Sequence, residues 1–136
     1  MITKKYLITT LIFAFLFASA IQAIGNQNND TTTLEISDIR GGILKVTADI
    51  ENTGEVTAEN FSITLSVKGG LLGLINVTTE DTVDLLEVLA TEEICTDRLI
   101  LGLGRVTITV TAEAANAERV IKTTDGFVIL FFVLVA

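Results

Sequence analysis

Residues Phe61–Lys68 alternate without a break. Phe61, Ile63, Leu65 and Val67 fall on one face, and Ser62, Thr64, Ser66 and Lys68 on the other. Period-two alternation predicts a strand with one buried and one wet face. A second stretch repeats the pattern: Val106, Ile108, Val110 and Ala112 alternate with Thr107, Thr109, Thr111 and Glu113. A third, Ile43–Ile50, points Leu44, Val46, Ala48 and Ile50 inward and Lys45, Thr47 and Asp49 outward. Leu34 and Ile36 face inward from a first strand over Leu34–Ile39. Turn signals separate these runs at Arg40-Gly41-Gly42, Asn52-Thr53-Gly54-Glu55 and Gly69-Gly70, where Asn and Gly tolerate positive φ.

The remaining segments are shorter. Leu71–Val77 reads as a bulged or bent strand because Gly73 interrupts it. Thr78–Asp81 is expected as a turn, and Thr82–Leu89 as a strand or one or two helical turns. A turn over Ala90–Glu93 precedes a short strand at Ile94–Asp97, and Leu99–Gly104 leads into the strand of Val106. Ala114–Glu118 reads as a small-residue turn. Arg119–Thr123 follows as a strand, broken by Thr124-Asp125-Gly126. About seven to nine short strands divided by turns predict an all-β fold, an antiparallel immunoglobulin-like β-sandwich with Greek-key connections. It is expected as one domain over residues 34–136. The chain has no Trp and one Cys, so the likeness to immunoglobulins is one of architecture only.

The two ends break the pattern. Lys4 and Lys5, an apolar run over Tyr6–Phe17 and the small residues Ala18-Ser19-Ala20, with Ala23 as a second site, make a secretory signal over residues 1–23. The alternative is an uncleaved anchor, since Tyr6–Ile24 is just long enough to span a bilayer. Both readings send the rest of the chain out of the cytoplasm. Residues 24–33 form a polar spacer. At the other end, Phe127–Ala136 carries no polar side chain. As one strand it would run about 33 Å, with both faces requiring burial. Closure of the core is the expectation. The alternatives are a subunit contact through Phe127, Ile129, Phe131, Phe132, Val133 and Leu134, and contact with a membrane.

Ile50–Ser66, with its Asn52-Thr53-Gly54 turn, Ala58-Glu59-Asn60 and an alternating strand ending in Gly69-Gly70, resembles the CARDB-like (cell-adhesion-related) domains of bacterial and archaeal surface proteins. Leu89-Ala90-Thr91-Glu92-Glu93 is similar to that family's Leu-x-x-Gly-Glu turn but lacks its glycine. Gly104–Val110 resembles its late central strand. The resemblance spans about residues 34–125. It implies a seven-stranded sandwich on the outside of the cell, often repeated or joined to other domains.

Charge and chemistry narrow the function by exclusion. The net charge is −8, and without Lys4 and Lys5 there are 7 basic against 17 acidic residues. An acidic domain repels phosphate backbones, which excludes nucleic acid. His is absent, removing the commonest general base and metal ligand. The Ser and Thr side chains lie on outward strand faces, so no catalytic residue and no cofactor is expected, and the chain is read as no enzyme. Glu80-Asp81-x-x-Asp84 and Glu92-Glu93-x-x-x-Asp97 lack calcium-loop spacing and read as solvated turns, so no metal is expected. Cys95 is expected as a buried small residue, with a cross-link between chains as the alternative. Asn29, Asn60 and Asn76 each begin an N-glycosylation sequon, Asn76 at an expected strand–turn junction being preferred.

These readings point to an exported structural, adhesive or assembly domain at the cell surface. The alternatives are a membrane-anchored or pilin-like filament subunit and a glycan- or peptide-binding module. The last is weakened because the chain's one Tyr lies in the signal and it has no Trp.

Overall fold

The structure is a computed structural model that describes residues 30–136. The signal or anchor, most of the spacer and Asn29 lie outside the described residues. The alternating runs form the centres of two antiparallel sheets. One sheet holds β1 (Leu34–Gly41), β2 (Val46–Asn52) and β5 (Thr91–Cys95), in the order β1-β2-β5. The other holds β3 (Ala58–Gly69), β4 (Ile75–Leu86), β6 (Gly102–Ala114), β7 (Ala117–Leu130) and β8 (Phe132–Val135), in the order β4-β3-β6-β7-β8.

The inward faces interleave as the alternation demands. Val46, Ala48 and Ile50 on the small sheet share a core with Phe61, Ile63, Leu65 and Val67 on β3 and Val106, Ile108 and Val110 on β6. Burial of these side chains is the main stabilising term of the fold. The architecture is that of a β-sandwich, and residues Thr31–Ala136 form one compact unit.

The strands run back and forth between two poles. At one pole, called here the N-terminal pole, the chain enters at Thr32, which bridges to Ala117. Thr32 is buried, so the last residues of the expected spacer belong to the domain. The hub of this pole is Asn52, whose side chain is fully buried. Its Oδ1 accepts from Thr32 Oγ1 at 2.6 Å and from the Gly54 N–H at 3.1 Å. Its Nδ2 donates to the Val56 carbonyl at 2.8 Å and the Leu86 carbonyl at 3.0 Å. The Asn-x-Gly turn thus works through a side-chain hub and not through positive φ. Gly54 is needed for room, because a Cβ there would sit 2.0 Å from Thr32 Oγ1. Asn116, in the β6–β7 turn, extends the same network by accepting from the Glu59 N–H and donating to the Thr57 carbonyl.

Several expected boundaries shift, most of them because cross-strand pairing overrides a local turn signal. Thr78–Asp81 is no turn. It lies within β4, with Thr78 opposite Ser66 and Glu80 opposite Thr64. Thr82–Leu89 is strand as far as Leu86, the chain reverses over Glu87–Ala90, and Thr91–Glu93, expected within a turn, opens β5. Thr124-Asp125-Gly126 does not break β7, since Asp125 pairs with Thr107 and Gly126 with Val106. Gly126 is there for close approach, as a Cβ would meet the Leu134 carbonyl oxygen at 2.8 Å. Leu44 precedes β2, at φ 65, in the β1–β2 connection.

The largest difference is at the C-terminus. Phe127–Ala136 is a hairpin and not one long strand. β7 ends at Leu130, the chain reverses at Phe131, and β8 returns with Ile129 opposite Phe132 and Phe127 opposite Leu134. Each arm then has one inward and one outward face. Val128 and Val133 enter the core, while Phe127, Ile129, Phe132 and Leu134 face out. The free side of β8 is held by the β1–β2 connection. The Val133 N–H donates to the Gly42 carbonyl and the Leu44 N–H to the Phe131 carbonyl, at 2.8 and 2.7 Å.

Candidate functional site

Four connections meet at the pole opposite the chain's entrance, and each carries large apolar side chains. They are the β1–β2 connection with Ile43 and Leu44, the β3–β4 connection with Leu71, Leu72 and Leu74, the β5–β6 connection with Leu99 and Leu101, and the β7–β8 turn at Phe131. Backbone contacts tie them together. Ile43 bridges Phe132, the Ile100 N–H donates to the Leu44 carbonyl at 2.8 Å, Gly102 pairs with Leu130, and the Gly70 N–H donates to the Arg105 carbonyl at 2.6 Å. Glycine permits the closest of these approaches. A Cβ on Gly69, itself at φ 136, would lie 2.5 Å from the Arg105 carbonyl oxygen.

The result is a continuous apolar end, here the apolar pole. An open groove of about 490 Å³ runs through it, lined by Leu71, Leu74, Leu101, Leu103, Leu130 and Phe131. Leu72 is 88% exposed and Leu74 79%. The rings of Phe131 and Phe132 lie 4.6 Å apart between centroids, in a tilted arrangement. The patch continues down the outer face of the large sheet through Leu103, Ile129 and Phe132, which adjoin across β6, β7 and β8. Folded monomeric domains rarely expose contiguous apolar surface of this kind.

Of the residues expected at a subunit contact, Phe127, Ile129, Phe131, Phe132 and Leu134 are exposed here. Val133 is 3% exposed and belongs to the core. The leucines of the β3–β4 and β5–β6 connections were missed as surface residues. Their signal was in the chain, because Gly-Gly-Leu-Leu-Gly-Leu and Leu-Ile-Leu-Gly-Leu-Gly put large apolar residues where turns usually carry polar ones.

Other candidates are dispersed. Asn60 is exposed at φ 49 near the start of β3. Asn76 is exposed inside β4, opposite Lys68, and not at a strand–turn junction. The acidic residues Glu80, Asp81 and Asp84 spread along β4. In the second acidic cluster, Glu93 pairs with Arg40, and Asp97 is tied to Thr79, whose Oγ1 donates to the carboxylate at 2.8 Å. No group of carboxylates or thiols able to hold a metal ion is present among the described residues. Cys95 is half-buried on the outward face of β5 opposite Thr47, and not in the core.

The outward face of the small sheet carries a charge cluster. Arg40 pairs with Asp38 at 2.9 Å, with Glu93 at 3.0 Å and, through both guanidinium nitrogens, with Asp49. Hydrogen bonds donated to Asp49 first, then Asp38, hold its pKa above the ordinary arginine value, so Arg40 stays charged. The group is solvent-exposed, and its contribution is screened by salt. Arg40→Met is expected to lower the thermal midpoint slightly in dilute buffer. The gap to wild type should close in about 0.5 M NaCl, as scanning calorimetry at the two salt levels would show.

The fold and this surface define an all-β, two-sheet domain with an apolar pole. No family model matches the chain, and no curated protein matches it. Among the described residues, no helix is long and apolar enough to cross a membrane.

Proposed function

We propose that this chain is an exported, non-enzymatic surface domain that acts by docking, in a structural, adhesive or assembly role. The apolar pole carries the reading. Four separate connections place large apolar side chains on one end of a domain that already has a filled core. Fold stability does not require these residues, whereas association does.

A relationship to the CARDB-like domains is part of the proposal. The order β1-β2-β5 against β4-β3-β6-β7 supports an immunoglobulin-like topology of the fibronectin type III kind, with β8 as an added strand. The Asn52 hub gives the shared Asn-x-Gly turn a structural purpose.

Two measurements test the reading. Mass spectrometry of the exported protein is expected to find a mature N-terminus near Ile21 or Ile24. An intact residue 1 on cytoplasmic protein would sink the export proposal. Docking is tested by replacing Leu74 and Phe131 with Asn. The folded variant should show weaker association of every kind, with itself and with cell surfaces, in sedimentation and cell-binding assays. Unchanged association would remove the pole from the function.

A further inference from the structure

Resting on the docking reading, we infer that the apolar pole seats on an anionic phospholipid surface. Its leucine and phenylalanine side chains enter the boundary between headgroups and acyl chains, and a ring of basic residues around them meets the lipid phosphates. Two independent observations lead there.

The first is backbone strain at exposed apolar residues of the pole. Leu44, Leu72 and Leu130 all hold left-handed backbone, at φ 65, 58 and 57. Glycine or asparagine is the favoured residue in that conformation. Leu72 and Leu130 are also exposed, at 88% and 64%, so the core gains nothing from them. Neither the turn nor the core selects leucine at Leu72 or Leu130. Strain held in this way clusters at functional surfaces.

The second is the distribution of charge. The domain is strongly acidic, yet the segments 41–46, 68–75, 97–105 and 125–134 around the pole carry Lys45, Lys68, Arg98 and Arg105 against two acids, Asp97 and Asp125, the second beside Arg105. Asp97 is engaged by Thr79, and all four cations are exposed. Every ion pair among the described residues belongs to Arg40, so the rim cations are unpaired there. An apolar tip inside a basic rim is complementary to anionic lipid. The remaining acidic surface would be held off the bilayer, which orients the domain tip-first. A pole-to-pole dimer would instead press two basic rims together. A fluid interface also needs no shape complementarity, which suits an end built from four separate connections.

The chain has no tryptophan, so a single introduced Trp reports its own surroundings. In the full chain, Leu74→Trp at the pole is compared with Leu85→Trp near the opposite end of β4. Both are added to vesicles of phosphatidylcholine with about one-third phosphatidylglycerol carrying brominated acyl chains, a composition chosen for its negative surface. Leu74→Trp is expected to shift to the blue and be quenched, and Leu85→Trp to stay unchanged. Because each reporter reads its own position, binding through residues 6–24 does not mimic the result.

A second arm separates strain from binding. Leu72→Asn and Leu130→Asn should raise the urea midpoint and weaken vesicle partitioning. Leu89→Asn relieves the same strain at the other pole, where Leu89 has φ 61, and should raise the midpoint with partitioning unchanged. Replacing Lys68 or Arg105 by Gln should reduce partitioning roughly fivefold each at low salt.

An unquenched Leu74→Trp, or equal quenching at both positions, overturns the lipid proposal. If Leu72→Asn instead abolishes self-association while vesicles bind neither protein, the occupant is a second copy and the docking reading stands. If the pole variants alter neither property, both proposals fall.

Discussion

Asn52→Ala is expected to cost about 4 kcal/mol of unfolding free energy, because it strips partners from several buried or half-buried polar groups at once. The Leu86 and Val56 carbonyls lose their donor, while the Thr32 hydroxyl and the Gly54 N–H lose their acceptor. Orphaned groups of this kind cost roughly 1–3 kcal/mol each, and the total falls below the sum because the turn relaxes toward water. Such a loss is a large share of the 5–15 kcal/mol that holds a typical domain, an order-of-magnitude figure. Urea unfolding measures it as a lower midpoint at constant slope. Asn52→Asp should be no better at neutral pH. A carboxylate keeps the acceptor but turns two donated bonds into repulsion between oxygens. Thr53→Ala, at an exposed neighbour, should leave the midpoint nearly in place. A wild-type midpoint for Asn52→Ala would show that the hub does not organise the N-terminal pole.

Gly41→Ala is the second large effect, at about 3 kcal/mol, through a clash that no rotamer relieves. The added Cβ would lie 2.1 Å from the Val133 carbonyl oxygen and 2.8 Å from its carbon, both backbone atoms. Either β1 or β8 must move. The bond from the Val133 N–H to the Gly42 carbonyl and the Ile43–Phe132 bridge lie next to the clash. Hydrogen exchange should therefore show β8 losing protection ahead of the strands around Phe61. Gly42→Ala is the control. Its Cβ would have 3.8 Å to the nearest neighbour, the Lys45 carbonyl oxygen, and it should be neutral or slightly stabilising through the unfolded chain. Equal effects at the two glycines would refute the packing argument. Because β8 carries Phe132 and Leu134, Gly41→Ala should also disorganise the outer-face apolar patch.

Both predictions concern features that the sequence displayed without explaining. Asn52-Thr53-Gly54 was legible as a reversal, but a turn motif does not say what its side chain reaches. The partners Thr32 and Leu86 lie 20 and 34 residues away along the chain. Arg40-Gly41-Gly42 was equally legible as punctuation. Only the return of β8 distinguishes the glycine that is required from the one that is not.

Alternation, with the turn signals between runs, determined the all-β class and the centre of the core. Phe61–Val67 and Val106–Ala112 bury every second residue because a strand's side chains alternate between faces, which is local geometry and needs no partner to be read. Composition likewise made the domain acidic and free of His from the outset. Tertiary structure decided what has no local signature: register, reversal and the gathering of distant turns. Pairing with β3 converted Thr78–Asp81 from a turn to a strand. Reversal at Phe131 divided one uninterrupted apolar run into two half-buried arms, so that its excess hydrophobicity faces outward instead of lengthening the core. The apolar pole itself belongs to this second category. Its leucines stand in segments up to about 90 residues apart in a chain of 136. They meet because antiparallel strands return alternate connections to the same end of the sheets, a consequence of topology that no window of sequence contains.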